Sequence, residues 1–356
     1  MVSSELSFST SKMIFYFIVC ENNKVSLSLK GGKGMDSRSI ALARKVLNSY
    51  SIRPNSIQVV QGGGMKTVWM VNTLKRTYCL KRLKHGLKRM NFSIQAQKYI
   101  KDHKAQVADI VKTKKGAQYI VHNGQLFLLY EWVHGIKPDF SSSSDLKKSI
   151  EVLAHFHKAS AGFAPRTSCR ESTKWGKWPI EYHNMMEDFK SWGRSDHFRN
   201  IDEPIREIIG QGKHAKALLS RSYYANWIRK NEKVVCHQDI KEDNVVLTRK
   251  GCVILDLDSI TYDLPLRDLR DIIHTEMLKI GKWDSRLFQK IISWYISVNP
   301  LTSKELKVLY IDCLFPHAFH ATAASVYKKR ESVSSSILTQ VIEIERSKKK
   351  DLLQKI

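Results

Sequence analysis

One short loop of this chain carries a carboxylate, a lysine and an amide, and two further carboxylates follow it at close spacing. The loop reads His237-Gln238-Asp239-Ile240-Lys241-Glu242-Asp243-Asn244. After it come two β-type runs, Val245-Val246-Leu247-Thr248 and Gly251-Cys252-Val253-Ile254-Leu255, and then Asp256-Leu257-Asp258. Phosphoryl transfer from a nucleotide needs such a set. One carboxylate orients and deprotonates a hydroxyl, while an amide and a second carboxylate hold magnesium. An isolated aspartate is commonly a solvated turn residue; the joint spacing of Asp239, Asn244 and Asp256 lifts this set above that reading. The set works only if the chain brings these three side chains together around one divalent ion in a cleft between two lobes.

Roles follow from residue chemistry. Asp239 is the candidate base. Lys241 is placed to neutralise charge on the transferring phosphoryl group. Asn244 and Asp256 offer the oxygen atoms that a hard cation such as Mg2+ prefers. His237 reads as a scaffold of the loop. Asp258 is a second metal ligand or a turn former, and Asp268 an N-cap or a residue that braces the loop. His155 and His157 sit two apart on a helix, cannot share a face, and are not a metal pair. Trp175 and Trp178 line a substrate pocket or cover a core.

The formal net charge of +25 favours acidic partners such as nucleotides, polyanions or anionic surfaces, and is equally compatible with a solvated basic surface. Charge alone would also suit a nucleic-acid binder, but no aromatic-interleaved basic motif or recognition helix supports that role. The cysteines are scattered with no C-x-x-C, which points to reduced thiols. The apolar run Met13–Cys20 is too short to span a bilayer, and Glu21-Asn22-Asn23-Lys24 supplies no signal cleavage site. No membrane span is expected. Lys30-Gly31-Gly32-Lys33-Gly34 implies purine-rich codons just before Met35, as a bacterial ribosome-binding site would. Residues 1–34 are therefore read as a mis-assigned start or a disordered arm.

Along the rest of the chain, Asp36 or Ser37 is expected to cap a helix with Ile40, Ala43, Val46 and Leu47 on one side. A β-meander follows in Ser56–Gln61, Thr67–Val71 and Tyr78–Lys81, its first turn made of Gly62, Gly63 and Gly64. A helix is expected over Phe92–His103, and a hairpin over Ala117–Val121 and Gln125–Trp132 with Asn123-Gly124 at the turn. Helical periodicity begins near Asp145 and dominates thereafter, with helices near Asp284–Val298, Ser303–Tyr327 (bent at Pro316) and Val333–Leu353. The pattern predicts an α+β, bilobal fold: residues 35–133 form a small β-rich N-lobe that binds nucleotide, and residues 134–356 a larger helical C-lobe that carries the catalytic hairpin.

Three features of the first lobe suit a nucleotide. Gly62, Gly63 and Gly64 would let backbone N–H groups approach phosphates, although the same residues would equally make a plain β-turn. Lys81, on a strand with apolar neighbours, can reach the α/β-phosphates as a fixed charge. Glu131, Trp132 and Val133 end a strand at the crossing between lobes, where backbone groups can pair with an adenine edge.

These residues also carry a resemblance. Tyr78-Cys79-Leu80-Lys81-Arg82-Leu83-Lys84-His85, Leu129-Tyr130-Glu131-Trp132, Gly176-Lys177-Trp178-Pro179, Cys236-His237-Gln238-Asp239 and Val253–Asp258 through Tyr262–Arg270 resemble the aminoglycoside phosphotransferase/choline-kinase-like family, part of the protein-kinase-like superfamily. More narrowly, they resemble the CotS-type bacterial spore coat proteins. The resemblance covers most of the chain from Met35. It implies a kinase-like fold, ATP (or another NTP) and Mg2+ as cofactors, and an unidentified hydroxyl acceptor. It also implies production in the cytoplasm of a sporulating mother cell and deposition in the spore coat among other coat proteins. The chain departs from the family pattern in three places. The helix expected to supply a Glu partner for Lys81 offers Gln95 and Gln97, the glycine turn is a single cluster, and Asp256-Leu257-Asp258 lacks the glycine of Asp-Phe-Gly. Two functions remain open on these grounds: a phosphotransferase, and a kinase-like coat component with little or no turnover.

Overall fold

A computed structural model describes residues 33–62, 66–83, 85–166, 169–192, 202–327 and 335–356. Gly63, Gly64 and nearly all of the 1–34 segment lie outside these residues.

The N-lobe is built on a five-stranded antiparallel sheet of order β1-β2-β3-β5-β4. Its elements are α1 (Lys33–Leu47), β1 (Ser56–Gln61), β2 (Thr67–Asn72), β3 (Thr77–Leu83), α2 (Leu87–Asp102), β4 (Ile120–His122) and β5 (Gln125–Glu131). Side chains alternate across a strand, and this sheet uses both faces. Trp69, Val71, Leu80, Phe127 and Leu129 pack under Ala43, Val46 and Leu47 of α1. On the other face, Val68, Met70 and Cys79 form one small apolar cluster, and Leu83, Leu126 and Leu128 form another with Met90 and Ile94 of α2. Lys81 shares parity with Cys79 and so belongs to this second face, away from α1. The β4–β5 turn puts Asn123 and Gly124 at φ 49° and 70°. Such tight hairpins need positive φ at both positions, which explains the Asn-Gly pair.

The C-lobe is mostly helical: α3 (Ser143–Ser160), α4 (Trp178–Trp192), α5 (Asp202–Arg221), α6 (Tyr224–Lys230), α7 (Leu266–Ile280), α8 (Ser285–Ile296), α9 (Ser303–Leu314), α10 (His317–Tyr327) and α11 (Ser335–Leu352). Two short antiparallel ladders interrupt it, one joining β6 (Val234–Cys236) to β9 (Thr261–Asp263), the other joining β7 (Val245–Thr248) to β8 (Gly251–Ile254). The helix starts show their caps: Ser142 accepts from Asp145 N–H, Asp284 from Arg286 and Leu287 N–H, and Thr302 with Glu305 forms a capping box. The expectation that Asp36 or Ser37 caps α1 is not met, because the helix is already running at Lys33. α2 likewise starts at Leu87, earlier than Phe92. Pro316 breaks the expected long helix instead of bending it. The residue before a proline is driven out of the helical region, and Phe315 sits at φ −60°, ψ 138° between α9 and α10.

The lobes are stitched by backbone. Beyond α2 the chain runs beside β8, with Ile254 N–H donating to Gln106 O (2.8 Å) and Ala108 N–H to Ile254 O (3.3 Å). Just past the crossing between lobes, Ile136 is tied into the C-lobe by exchanging two hydrogen bonds with Leu247, at 2.9 and 2.8 Å. Next to them a Cβ on Gly135 would lie 2.2 Å from Leu247 O and 2.6 Å from the Val246 side chain. Gly135 is thus required by close backbone approach. We expect Gly135→Ala to cost about 1–3 kcal/mol, as overpacking does, read as a lowered urea midpoint. A wild-type midpoint would show that the joint yields freely.

Candidate active site

The loop that carries Asp239 leaves β6 at Cys236 and is fixed from beneath by Asp268 in the first turn of α7. The Asp268 carboxylate accepts from His237 N–H (2.5 Å), Gln238 N–H (2.8 Å) and His157 Nε2 (3.0 Å). Pro265, not Asp268, occupies the N-cap of α7, so of the two expected roles for Asp268 the structure shows the brace. Burial alone would raise the Asp268 carboxyl; the hydrogen bond and charge of His157, with His237 and the Gln238 N–H, hold it below the usual range. Gln238 adopts φ 68°, turning the chain sharply just before Asp239. His237 is fully buried and joins two segments: one ring nitrogen bonds Leu255 O at 2.8 Å, and the other accepts from Asp239 N–H at 3.3 Å.

The β7–β8 hairpin then folds the chain back so that Asn244, just before β7, meets the residues just after β8. Leu255 N–H donates to Asn244 O at 2.9 Å. Asn244 Nδ2 donates to Asp239 O (2.6 Å) and Asp239 Oδ2 (3.3 Å), and Lys241 Nζ lies 3.3 Å from Asp239 Oδ2. Asp256 follows in the left-handed region at φ 58°, ψ 60°, a conformation few non-glycine residues other than Asn and Asp tolerate. Its Oδ1 accepts from Lys81 Nζ at 2.6 Å, across the cleft from β3. Lys81 Nζ is also 2.7 Å from Asp258 Oδ2, and Lys66 Nζ is 3.2 Å from Asp256 Oδ2 and 3.2 Å from Asp258 Oδ2. Burial would raise the Asp256 carboxyl, but Lys81 and Lys66 hold it well below the usual carboxylate range. Lys81 moves up despite burial, because two carboxylates face it. Lys66 moves down, since burial and its neighbour Lys81 outweigh the same carboxylates.

An apolar slot adjoins this cluster. It is lined by Cys79, Tyr130, Trp132, Val133, Val246 and Leu255, with Lys81 and Asp256 at one end. Behind Cys79 and Trp132 pack Val60, Val68 and Met70, while Ala108 and Val133 meet Val246 and Leu255 of the C-lobe across the slot. The Glu131 carboxylate turns away to Arg76 at 2.8 Å, so only the main chain of Glu131 can serve the slot. Burial pushes the Cys79 thiol up to about 12. Gly62 directly follows β1, next to the irregular pairing at Val59/Gln61.

No spacing in the sequence marks Lys66, which follows Gly62-Gly63-Gly64-Met65. The sequence leaves two roles open to Asp258; buried and paired with both lysines, it belongs to the charge cluster and also forms part of a 3-10 turn, Leu257–Ser259. The helix glutamines act on backbone. Gln97 is buried and donates to Ala108 O at 2.7 Å, and Gln95 accepts from Arg166 N–H at 2.8 Å. α2 grips the segment that follows Asp256 through Arg89, which donates to Ile260 O at 2.6 Å and to Ser93 Oγ at 2.8 Å. Trp178 is a core residue whose Nε1 donates to the buried Asp263 at 2.9 Å, and the half-buried Trp175 donates to Ile228 O at 3.2 Å.

The donor set fits a hard divalent cation. Among the described residues no donor reaches the buried Asn244 Oδ1 or Asp258 Oδ1. A buried oxygen without a partner is costly, and a cation held between Asn244, Asp256 and Asp258 would satisfy both. A partly exposed carboxylate, an amide, a buried carboxylate pair bound by a strand lysine and an apolar slot between two lobes together make a cleft of the phosphotransferase type. The profile of the phosphotransferase enzyme family matches residues 56–290, and the chain belongs to that family. It is 26% identical over 321 residues to Spore coat protein S of Bacillus subtilis (strain 168), spanning 86% of this chain and 92% of that protein. The fold is shared with an aminoglycoside phosphotransferase from Alicyclobacillus acidocaldarius (TM-score 0.69, 18% identity, 87% of this chain and 94% of that one). It is shared too with an amicoumacin kinase solved with AMP-PNP and Ca2+ (TM-score 0.63, 12% identity, 90% and 95%). Among the described residues no helix is long and apolar enough to cross a membrane.

Two measurements probe this geometry. Asp256 and Asp268 ionise more readily in the folded chain than the ordinary value of 3.8 allows. Their stabilisation is therefore complete above about pH 4 and is lost as pH falls through their lowered folded values. The urea midpoint should drop steeply below about pH 4, and Asp268→Asn should flatten part of that slope; an unchanged slope in the variant would contradict the brace. Gln97→Glu would set a carboxylate against Ala108 O in place of a donor. It should destabilise the fold by about 1–3 kcal/mol, whereas a stability gain would show that the lysine pairing dominates.

Proposed function

We propose that this protein transfers a phosphoryl group from ATP, with magnesium, to a hydroxyl of an acceptor, and that it does so in association with the spore coat. The observation that carries this reading is the meeting of Asn244 with Asp239 and of Lys81 with Asp256 in one cleft. Asp239 is the catalytic base: partly exposed, it can take the acceptor proton as the hydroxyl attacks. Lys241, 3.3 Å from Asp239, offsets charge on the migrating group. Asn244 and Asp256, with Asp258 beside them, are the residues that would hold magnesium. When bound, the ion supplies positive charge to the phosphate oxygens. Lys81 takes the α/β-phosphates, and the base lies in the slot against the main chain of Glu131, Trp132 and Val133. Gly62, Gly63 and Gly64 are the residues whose backbone N–H groups would approach the phosphates. In this reading residues 35–133 hold the nucleotide, and residues 134–356 supply the catalytic groups and the acceptor side.

The kinship with Spore coat protein S supports synthesis in the mother-cell cytoplasm, incorporation into the coat and contacts with other coat proteins. The amicoumacin kinase solved with AMP-PNP and Ca2+ supports nucleotide and divalent-metal use. A second reading, a coat component of weak or no turnover, draws on one observation: the α2 amide of Gln97 bonds Ala108 O where a carboxylate would pair with Lys81.

Melting curves with ATP and magnesium separate the two. A ligand at a hundred times its Kd adds about 2.7 kcal/mol of stability, so the wild type should melt several degrees higher. Asp256→Ala should lose that shift. Asp239→Ala should keep it while transfer falls by about 10^2–10^4-fold. A wild type indifferent to millimolar ATP and magnesium would remove the enzymatic reading.

A further inference from the structure

Lys66 carries an inference that deepens, and rests on, the phosphotransferase reading. It is 8% exposed, immediately precedes β2, and reaches across the cleft to both carboxylates of the metal segment. The two lysines divide Asp256 between them: Lys81 holds Oδ1 at 2.6 Å and Lys66 holds Oδ2 at 3.2 Å. Both also meet the same oxygen of Asp258, at 2.7 and 3.2 Å. Two ammoniums against two carboxylates make a neutral, buried cluster. α2 adds no negative charge to it, since Gln97 stands there and Arg89 is the charged residue that grips the segment.

A divalent cation arriving alone at Asp256 would meet two ammoniums already on the carboxylate oxygens, in a place where like charges are poorly screened. The conflict is relieved if one ammonium finds another anion. Lys81 is held in mid-strand and is 1% exposed. Lys66, on a flexible four-carbon stem just ahead of β2, is the ammonium able to move. A polyphosphate offers it that anion.

We propose that Lys66 is a phosphate-positioning residue that competes with the divalent cation for Asp256 and Asp258, so that metal and polyphosphate bind as a coupled pair and each binds weakly alone. The coupling is reciprocal: whatever the polyphosphate gains from the cation, the cation gains from the polyphosphate.

The test titrates Mn2+, as a spectroscopic stand-in for magnesium, into the full-length nucleotide-free wild type, Lys66→Met and Lys66→Arg, and then measures the affinity of each for ATP with magnesium. Lys66→Met should bind Mn2+ about tenfold tighter than wild type while binding ATP with magnesium about tenfold more weakly. Lys66→Arg, which keeps the charge, should follow the wild type in the metal titration. If Lys66→Met is poorly folded, Mn2+ alone should raise its melting temperature more than that of the wild type. Equal or weaker Mn2+ binding by Lys66→Met overturns the competition, and unchanged ATP affinity overturns the phosphate role. A wild type blind to ATP with magnesium, alongside a Lys66→Met that gains Mn2+ affinity, would overturn the phosphotransferase reading and leave the competition standing.

Discussion

The contact between Lys81 and Asp256 joins the two halves of this molecule across the cleft. Lys81 belongs to the central region of the N-lobe sheet, and Asp256 ends the β7–β8 hairpin of the C-lobe. Both are nearly excluded from water, at 1% and 5% side-chain exposure. Removing two such charges from solvent is expensive, and their attraction compensates only when geometry is good and the remaining lone pairs find partners. Here Asp258 and Lys66 complete the set, so each ionised group faces an opposite one. An interior of this kind is poor value for stability alone. Its persistence makes sense where the charges have work to do on a ligand.

Around this contact, rigidity comes from the main chain and from groups that never touch a substrate. Asp268 holds the Asp239 loop by two N–H groups, His237 ties that loop to Leu255, and Leu255 N–H holds Asn244. Two of the left-handed non-glycine residues, Gln238 and Asp256, fall directly at the cleft segments. Strained conformations persist where the surroundings over-determine them, and this web of buried hydrogen bonds does so. The chemistry therefore sits on a frame that is stiff at short range, while the cleft itself is bounded by two separate apolar clusters.

Much of this was legible in the chain. The strands read cleanly because one face of the sheet packs on α1 and the other on the cleft, so alternation survives in Trp69/Val71 against Val68/Met70. Asn123-Gly124 fixed a hairpin because few other pairs accept two positive φ values. The spacing of Asp239, Asn244 and Asp256 survives any view of the fold, since a hairpin is the short way to return the chain between the last two. Other features depend on partners remote in sequence. Nothing near Lys66 says that it meets Asp256, 190 residues away. Gln97 reads as a missing acid until Ala108 O is seen to need a donor. Asp268 looked like a cap because aspartate favours caps, yet its oxygens are taken by a loop thirty-odd positions upstream. Pro316 was visible, but whether a proline bends or severs a helix depends on the packing that Phe315 finds, and Phe315 is fully buried.

Cys79 in the wall of the apolar slot has a chemical meaning of its own. Thiols react as thiolates, and burial keeps this one protonated far above neutral pH. The slot is thus lined by a sulfur that behaves as a small hydrocarbon and offers an apolar ligand a soft, polarisable surface.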